Sequence, residues 1–205
     1  MKGCAKIYDN ALVKDGAVVD DNVLVYENAV VGGSTHISGS CKICGDAQLD
    51  GDIIVKDNTI IRGHCVLNGL ITIKGDCLIH ENAYVLGTPG TKGVELINCC
   101  LEGSCVVKYS PVVENAVIRG FAIVQDCAKI HGAEPYFRSI TNKQYVIIDD
   151  HSKIMDHAEI RDLAHITDNA CIGGNYKCYG RDFYGKDSVL TPEKVQLGKT
   201  NSKWA

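Results

Sequence analysis

The sequence predicts an all-β protein built as a triangular parallel β-helix, and three observations support this prediction. From residue 5 to residue 88 a small residue recurs every six positions, beginning with Ala5, Ala11, Ala17, Val23, Ala29 and Thr35. An aliphatic residue follows two positions later in each of these hexads. The same spacing returns after each of two breaks. Because a helix repeats near 3.6 residues and an ordinary strand at two, a period of six indicates a short strand plus a corner, three times per coil.

The repeat defines one domain over residues 1–205, with two loop insertions and a short C-terminal tail. The hexads occupy residues 5–88, 99–130, with a slip of one residue between 111 and 116, and 146–193. The predicted loops are 88–98 and 131–145, and the predicted tail is 194–205. Three hexads make one coil, so the chain forms about nine coils that stack at about 4.8 Å into a shaft roughly 45 Å long.

The residue just before each small position is predicted to form the corner. It is mostly Asn, Asp or Gly, the residue types that tolerate a positive φ, as in Asn10, Gly16, Asn22, Asn28, Asp46, Asp52, Asn58, Asp76, Asn82, Asn115 and Asn169. Three of the seven histidines, His64, His151 and His157, occupy the same slot. These three are therefore expected to be corner residues without a functional role.

The eleven cysteines are expected to be core residues or free thiols. Their odd number argues against a fully paired disulfide framework. Several fall on the small position of a hexad, where a small and weakly polar side chain packs inward. The one CxxC pair, Cys41 and Cys44, is predicted to point apart, and no second pair follows at zinc-ribbon spacing. No metal site and no resident cofactor are expected.

Charge and hydropathy exclude several partners. The net charge of −4 and the pI near 5.9 do not provide the dense basic surface that a nucleic acid requires, so no nucleic acid is expected. The N-terminus lacks the apolar core of a signal peptide, and no stretch of 18 apolar residues occurs. We therefore expect no membrane association and a cytoplasmic location.

The hexads resemble those of the bacterial transferase hexapeptide-repeat superfamily. The stretches "VYENAV", "VKDNTI" and "IHENAY" are similar to the unit of that family, and the resemblance covers nearly the whole chain. It implies a left-handed parallel β-helix and a homotrimer. Many members are acyltransferases that use acetyl-CoA or acyl-carrier protein, with a histidine as general base in a cleft between subunits.

The chain also departs from the enzymes of that family. It contains no "IGxGA" run beside a histidine and no "GxPAK" stretch after the last coil, where acetyltransferases line their CoA tunnel. Its histidines lack the three-ligand spacing of the carbonic anhydrases that share the fold. Fold alone does not decide chemistry, so the resemblance favours an architecture more than an activity.

The two predicted loops provide the candidate site, because binding residues tend to lie on loops held by a rigid scaffold. Assigning the hexads to the three faces in rotation places both loops on one edge, where they would wall a cleft. On that edge Glu114, His131 and Arg161 are predicted to form a column, with a carboxylate beside a histidine and a cation beyond it. The further candidate ligand-binding residues in the loops are Lys92, Tyr136 and Arg138. The alternative is an ordinary polar edge.

Two functions follow from these residues. The first is a non-catalytic module that binds a small anionic molecule, such as a metabolite or nucleotide, or another protein. The second is a CoA-thioester-dependent acyltransferase in which His131 acts as general base and Glu114 orients it. A repeat that begins at residue 5 leaves the backbone edge of the first coil without an evident cap, which favours an oligomer.

Overall fold

A computed structural model describes residues 4–88, 90–132, 145–179, 183–185, 188–191 and 194–196. Within these ranges the chain is all-β and forms a parallel solenoid of about nine turns, without a helix. The parallel β-helix predicted from the hexads is therefore confirmed. Among the described residues, no helix has the length and apolar character needed to cross a membrane.

The strands lie on three faces. Face one contains Lys6–Ile7, Leu24–Val25, Lys42–Ile43, Ile60–Ile61, Leu78–Ile79, Cys100–Leu101, Ala116–Ile118, Val146–Ile148, His165–Ile166 and Phe183–Tyr184. Face two contains Leu12–Val13, Val30–Val31, Tyr84–Gly87, Val106–Tyr109, Ile123–Val124, Lys153–Ile154, Cys171–Ile172 and Val189–Thr191. Face three contains Val18–Val19, His36–Ile37, Val94–Ile97, Val112–Glu114, Lys129–Gly132, Glu159–Asp162 and Lys177–Cys178. Gln48–Val55 and Val66–Lys74 turn the corner from face two to face three as single strands.

Each strand pairs with the strand one coil later, so equivalent positions stack along the shaft. Lys6 pairs with Leu24, for example, and Val25 pairs with Ile43. The first and third residues of each hexad point inward, and from the second coil onward nearly all of them are buried. Leu67 is 0 % exposed, and burying a side chain of this size stabilises the fold by about 2–3 kcal/mol. Three columns of such side chains form the core.

The corners lie one residue earlier in the hexad than predicted. The residues with positive φ stand two positions before the small residue, as in Asp9, Asp15, Asp21, Glu27, Asp57 and Glu81. Of the predicted set, only Asn115 has a positive φ. Acidic corner residues also accept hydrogen bonds from the next coil: the Gly39 amide donates to Asp21 Oδ2 at 2.9 Å. The residues predicted to form the corner stack by their side chains instead, and Asn28 Nδ2 donates to Asp46 Oδ1 at 2.9 Å.

The prediction of a loop over residues 88–98 is wrong for its C-terminal half, because Val94–Ile97 forms a strand of face three. It pairs with Ile71–Lys74 below and with Val112–Glu114 above. Its hexad has five residues, and Val94 replaces the small residue, so the six-residue pattern passes over it. The first excursion from the solenoid is therefore confined to residues 88–93.

This strand changes the face of every later hexad, so the two excursions do not share an edge. The first follows Tyr84–Gly87 and lies at the corner between faces two and three. At the second, the described chain ends at Gly132 on face three and resumes in Val146–Ile148 on face one. The predicted common cleft is therefore wrong. The two excursions instead leave from the two sides of face three.

The two ends of the solenoid differ. Strands of the first coil pair only with the second coil, and Ile7, Leu12 and Val18 are 49 %, 49 % and 46 % exposed. Near the other end, Lys194–Gln196 pairs antiparallel with Val189–Thr191. The first three residues of the predicted tail 194–205 thus form a strand that covers the edge of face two.

Candidate functional site

The predicted column of Glu114, His131 and Arg161 is present in the structure, but it lies on face three and not on face two. The parallel register pairs Glu114 with His131 and His131 with Arg161, so the three residues occupy one position on successive coils. Stacked strands place such residues about 4.8 Å apart along the shaft. The slip of one residue between 111 and 116 is absorbed at the Asn115 corner, where φ is +48°.

Glu114 and His131 are in contact. His131 Nδ1 lies 3.3 Å from Glu114 Oε2, and about a third of each side chain is exposed. A carboxylate at Nδ1 favours the tautomer that carries its proton there. The Nε2 nitrogen is then the acceptor, and it is available to a ligand or to an acidic proton.

Glu159 links two cations of the same face. It stands at the outward second position of its hexad, and its side chain is only 10 % exposed. Its carboxylate accepts from Arg161 Nε at 2.5 Å and from Lys177 Nζ at 3.1 Å. Burial alone would raise the pKa of the Glu159 carboxyl, but these hydrogen bonds outweigh burial and lower it. Arg161 and Lys177 are thereby held in place around an ionised carboxylate.

Lys129 completes the group. It pairs in register with Glu159 and is exposed, and in the described parts of the chain its side chain forms no ion pair. We call Glu114, Lys129, His131, Glu159, Arg161 and Lys177 the face-three patch. It contains three permanent cations and two carboxylates, in a protein whose net charge is −4.

The other predicted site residues are not part of this patch. Lys92 is exposed in the first excursion, at the opposite corner of face three. Thr91 Oγ1 accepts hydrogen bonds from Ser110 Oγ at 2.6 Å and from the Gly93 amide at 3.0 Å. These bonds fix the first excursion against the next coil. Tyr136 and Arg138 lie outside the described residues.

A surface cleft lies at the same corner as Lys92. Its volume is about 370 Å³, and it is lined by Asp50, Gly51, Asp52, Asn68, Gly69, Leu70 and Gly90. Its two charged groups are carboxylates, which repel an anion. We therefore place the candidate site at the face-three patch rather than in this cleft.

A second polar cluster lies on face one around Asp149, whose side chain is 9 % exposed. Asp149 Oδ2 accepts from Arg119 Nη2 at 2.7 Å, and His165 Nε2 lies 3.2 Å away. Burial alone would raise the pKa of this carboxyl, but the hydrogen bonds from His165 and Arg119 hold it well below its usual range. This cluster braces successive coils of face one.

Three residues of the patch were not predicted from the sequence: Lys129, Glu159 and Lys177. All three occupy the outward second position of face-three hexads, whereas only fourth positions were followed along the shaft. The same stacking rule applied to second positions would have found them.

The chain matches no protein-family model and no curated protein sequence. The resemblance to hexapeptide-repeat proteins therefore rests on the repeat and on the solenoid that it forms.

Proposed function

We propose that the protein is a non-catalytic binding module and that its face-three patch holds a small anionic molecule. The observation that supports this most directly is Lys129, a cation without an ion pair in the described residues, next to Arg161 and His131. Arg161 donates to Glu159 through Nε and Nη2, which leaves Nη1 for a ligand. A phosphate or carboxylate bound between Lys129 and Arg161 Nη1 would also face His131 Nε2.

Preorganisation favours binding at this patch. Glu159 pairs with Arg161 and Lys177 before any ligand arrives, so part of the side-chain entropy cost of binding is already met. The backbone beneath the patch is a stacked parallel sheet, which keeps its residues in register. The anionic groups that match this surface are those of a metabolite or of a nucleotide.

Thermal unfolding with two anionic probes tests the proposal. Inorganic phosphate and acetyl-CoA are titrated separately, since a ligand at 100 times its Kd stabilises the folded state by about 2.7 kcal/mol. We expect a rise in Tm that is lost in Lys129→Gln and in Arg161→Gln. Lys42→Gln, an exposed cation on face one, is the matched control and should retain the shift. A shift that both patch variants retain would refute the proposed site.

A second candidate function is acyl transfer, and the contact between His131 and Glu114 favours it. His131 Nε2 would remove the proton of an acceptor hydroxyl or amine, which attacks the thioester carbonyl of acetyl-CoA. The carbon–sulfur bond then breaks, and the CoA thiolate takes up the proton from His131. Acetyl-CoA would be the co-substrate of this reaction.

Mass-spectrometric detection of CoA release distinguishes the two functions. Under acyl transfer, His131→Ala abolishes release with an amine or hydroxyl acceptor present. His64→Ala is the matched control, because His64 Nδ1 also lies near a carboxylate, 3.1 Å from Asp46 Oδ2. Tight binding of acetyl-CoA without release supports the module.

We further propose that the chain assembles as a homotrimer in the cytoplasm. On face two the outward second positions of four successive coils are apolar: Val66, Tyr84, Val106 and Ile123 stack in register. Such a column suits an interface between subunits. All eleven cysteines are free, which fits a reducing compartment.

Analytical ultracentrifugation tests the assembly. The wild-type chain should sediment as a trimer, and Val106→Glu should shift it toward the monomer. A monomeric wild type, or a trimer that Val106→Glu leaves intact, would contradict this part of the proposal.

A further inference from the structure

Three potential metal ligands meet on face one, away from the face-three patch. They are His80, Cys100 and Glu102, and one ligand atom from each lies within 4.8 Å of the other two. The parallel register pairs Leu78 with Cys100, and the His80 amide donates to Leu101 O at 3.0 Å. His80 and Glu102 therefore stand at the same position on successive coils, with Cys100 beside them. All three are partly buried.

Two of these three side chains have no other polar partner in the described parts of the chain. Among the described residues, Cys100 and Glu102 form no side-chain hydrogen bond and no ion pair. The cation one coil above Glu102 is Arg119, which binds Asp149 Oδ2 at 2.7 Å instead. The carboxylates of Glu159 and Asp149, by contrast, already bind Lys177 and Arg119.

We propose that His80, Cys100 and Glu102 form a binding site for a divalent transition metal ion such as Zn²⁺. Sulfur, imidazole nitrogen and carboxylate oxygen are the three ligand types that Zn²⁺ takes in proteins. A thiolate and a carboxylate together balance the two positive charges of the ion. Three protein ligands leave one tetrahedral position for water or for a small ligand.

The proton balance of the site follows from its thiol ligand. An ordinary cysteine thiol, with a pKa of about 8.5, is protonated at pH 7 without a metal. Binding releases that proton to solvent as the sulfur–metal bond forms. His80 Nδ1 also lies 4.0 Å from Glu81 Oε1, which is beyond hydrogen-bond distance.

Cobalt substitution tests the site, because a thiolate on Co²⁺ gives a charge-transfer band in the near ultraviolet. Full-length protein is titrated with Co²⁺, and Zn²⁺ is then added as competitor. We expect one Co²⁺ per chain, a tetrahedral visible spectrum, loss of the band with Zn²⁺, and release of a proton. Cys100→Ser should remove the charge-transfer band. Loss of an outer-shell partner lowers metal affinity by about 10–100-fold. Because Glu102 is a direct ligand in this proposal, Glu102→Gln should lower the affinity for Co²⁺ by more than that.

The other cysteines supply the control. Cys171 also stands at an outward second position and is half-buried, so Cys171→Ser should leave the band unchanged. Circular dichroism of each variant establishes that it is folded before titration. A band that Cys100→Ser retains assigns the metal to another thiol and overturns the proposal. The absence of any band in the wild type overturns it as well.

Discussion

Replacing Asp149 with asparagine should destabilise the protein in a way that depends on pH. The carboxylate is almost fully buried, and it accepts hydrogen bonds from Arg119 at 2.7 and 3.2 Å, with His165 Nε2 at 3.2 Å. Asparagine keeps the shape of the side chain but removes the negative charge. Because a hydrogen bond to a charged group contributes about 1.5–3 kcal/mol, we expect a loss of about 2–3 kcal/mol in the free energy of unfolding at pH 7.

The direction of the pH dependence follows from the pKa of Asp149. Its hydrogen bonds hold that pKa well below the value of about 4 that an aspartate has in an unfolded chain. The stabilisation is therefore fully present above about pH 4, and it is lost as the pH falls toward the folded-state pKa. The difference between wild type and Asp149→Asn should accordingly shrink on acidification.

Urea unfolding followed by circular dichroism measures this difference at pH 7, 4 and 3. Asp52→Asn is the matched control, because Asp52 is exposed at a corner and should change stability by less than about 0.5 kcal/mol at every pH. If Asp149→Asn behaves like Asp52→Asn at pH 7, or if its loss of stability is the same at pH 3, the charge of Asp149 does not stabilise the fold.

Three further perturbations test the packing of the solenoid. Gly51→Ala should lower Tm clearly more than Gly90→Ala. Both glycines have positive φ, but only at Gly51 would an added Cβ meet backbone, 2.5 Å from the Gly69 nitrogen one coil later. Equal losses of Tm would contradict the close stacking of these corners. Leu67→Ala should cost about 2–5 kcal/mol in urea unfolding, since the side chain is fully buried; a cost below 1 kcal/mol would mean a loose core. Burial raises the pKa of the Cys105 thiol to about 12. Labelling of the native protein with iodoacetamide at pH 8, mapped by mass spectrometry, should therefore modify exposed Cys127 and spare Cys105. Equal labelling of the two cysteines would disprove the burial of Cys105.

The hexads predicted the architecture because every coil needs the same thing from its sequence: a small residue and an aliphatic residue facing a narrow interior. They also predicted the contact between Glu114 and His131, since stacking depends only on the count of residues between them. The count failed at Val94, which occupies the small position of a shortened hexad. One missed strand then displaced all later hexads by one face, so the edge assigned to the excursions was wrong.

The stacking rule does not predict which hydrogen bonds and ion pairs the side chains form. The rule placed Arg161 near His131, but not its attachment to Glu159. It also gave no reason to follow His80, Cys100 and Glu102, because histidine, cysteine and glutamate at that spacing resemble no ligand motif in the linear sequence. Their proximity arises from parallel pairing across two coils, one of which contains an excursion.

The five-residue hexads at the corner between faces three and one show how such a shaft can be edited. Shortening a corner by one residue leaves the coils above it in register, as Asn98 and Asn115 demonstrate. Deleting a whole hexad would act differently: everything above the cut would turn by a third of a revolution relative to everything below. Each patch above the cut would keep its own residues together, but it would face a different side of the shaft from the patches below. Only the deletion or duplication of a complete coil would preserve the relative orientation of every surface.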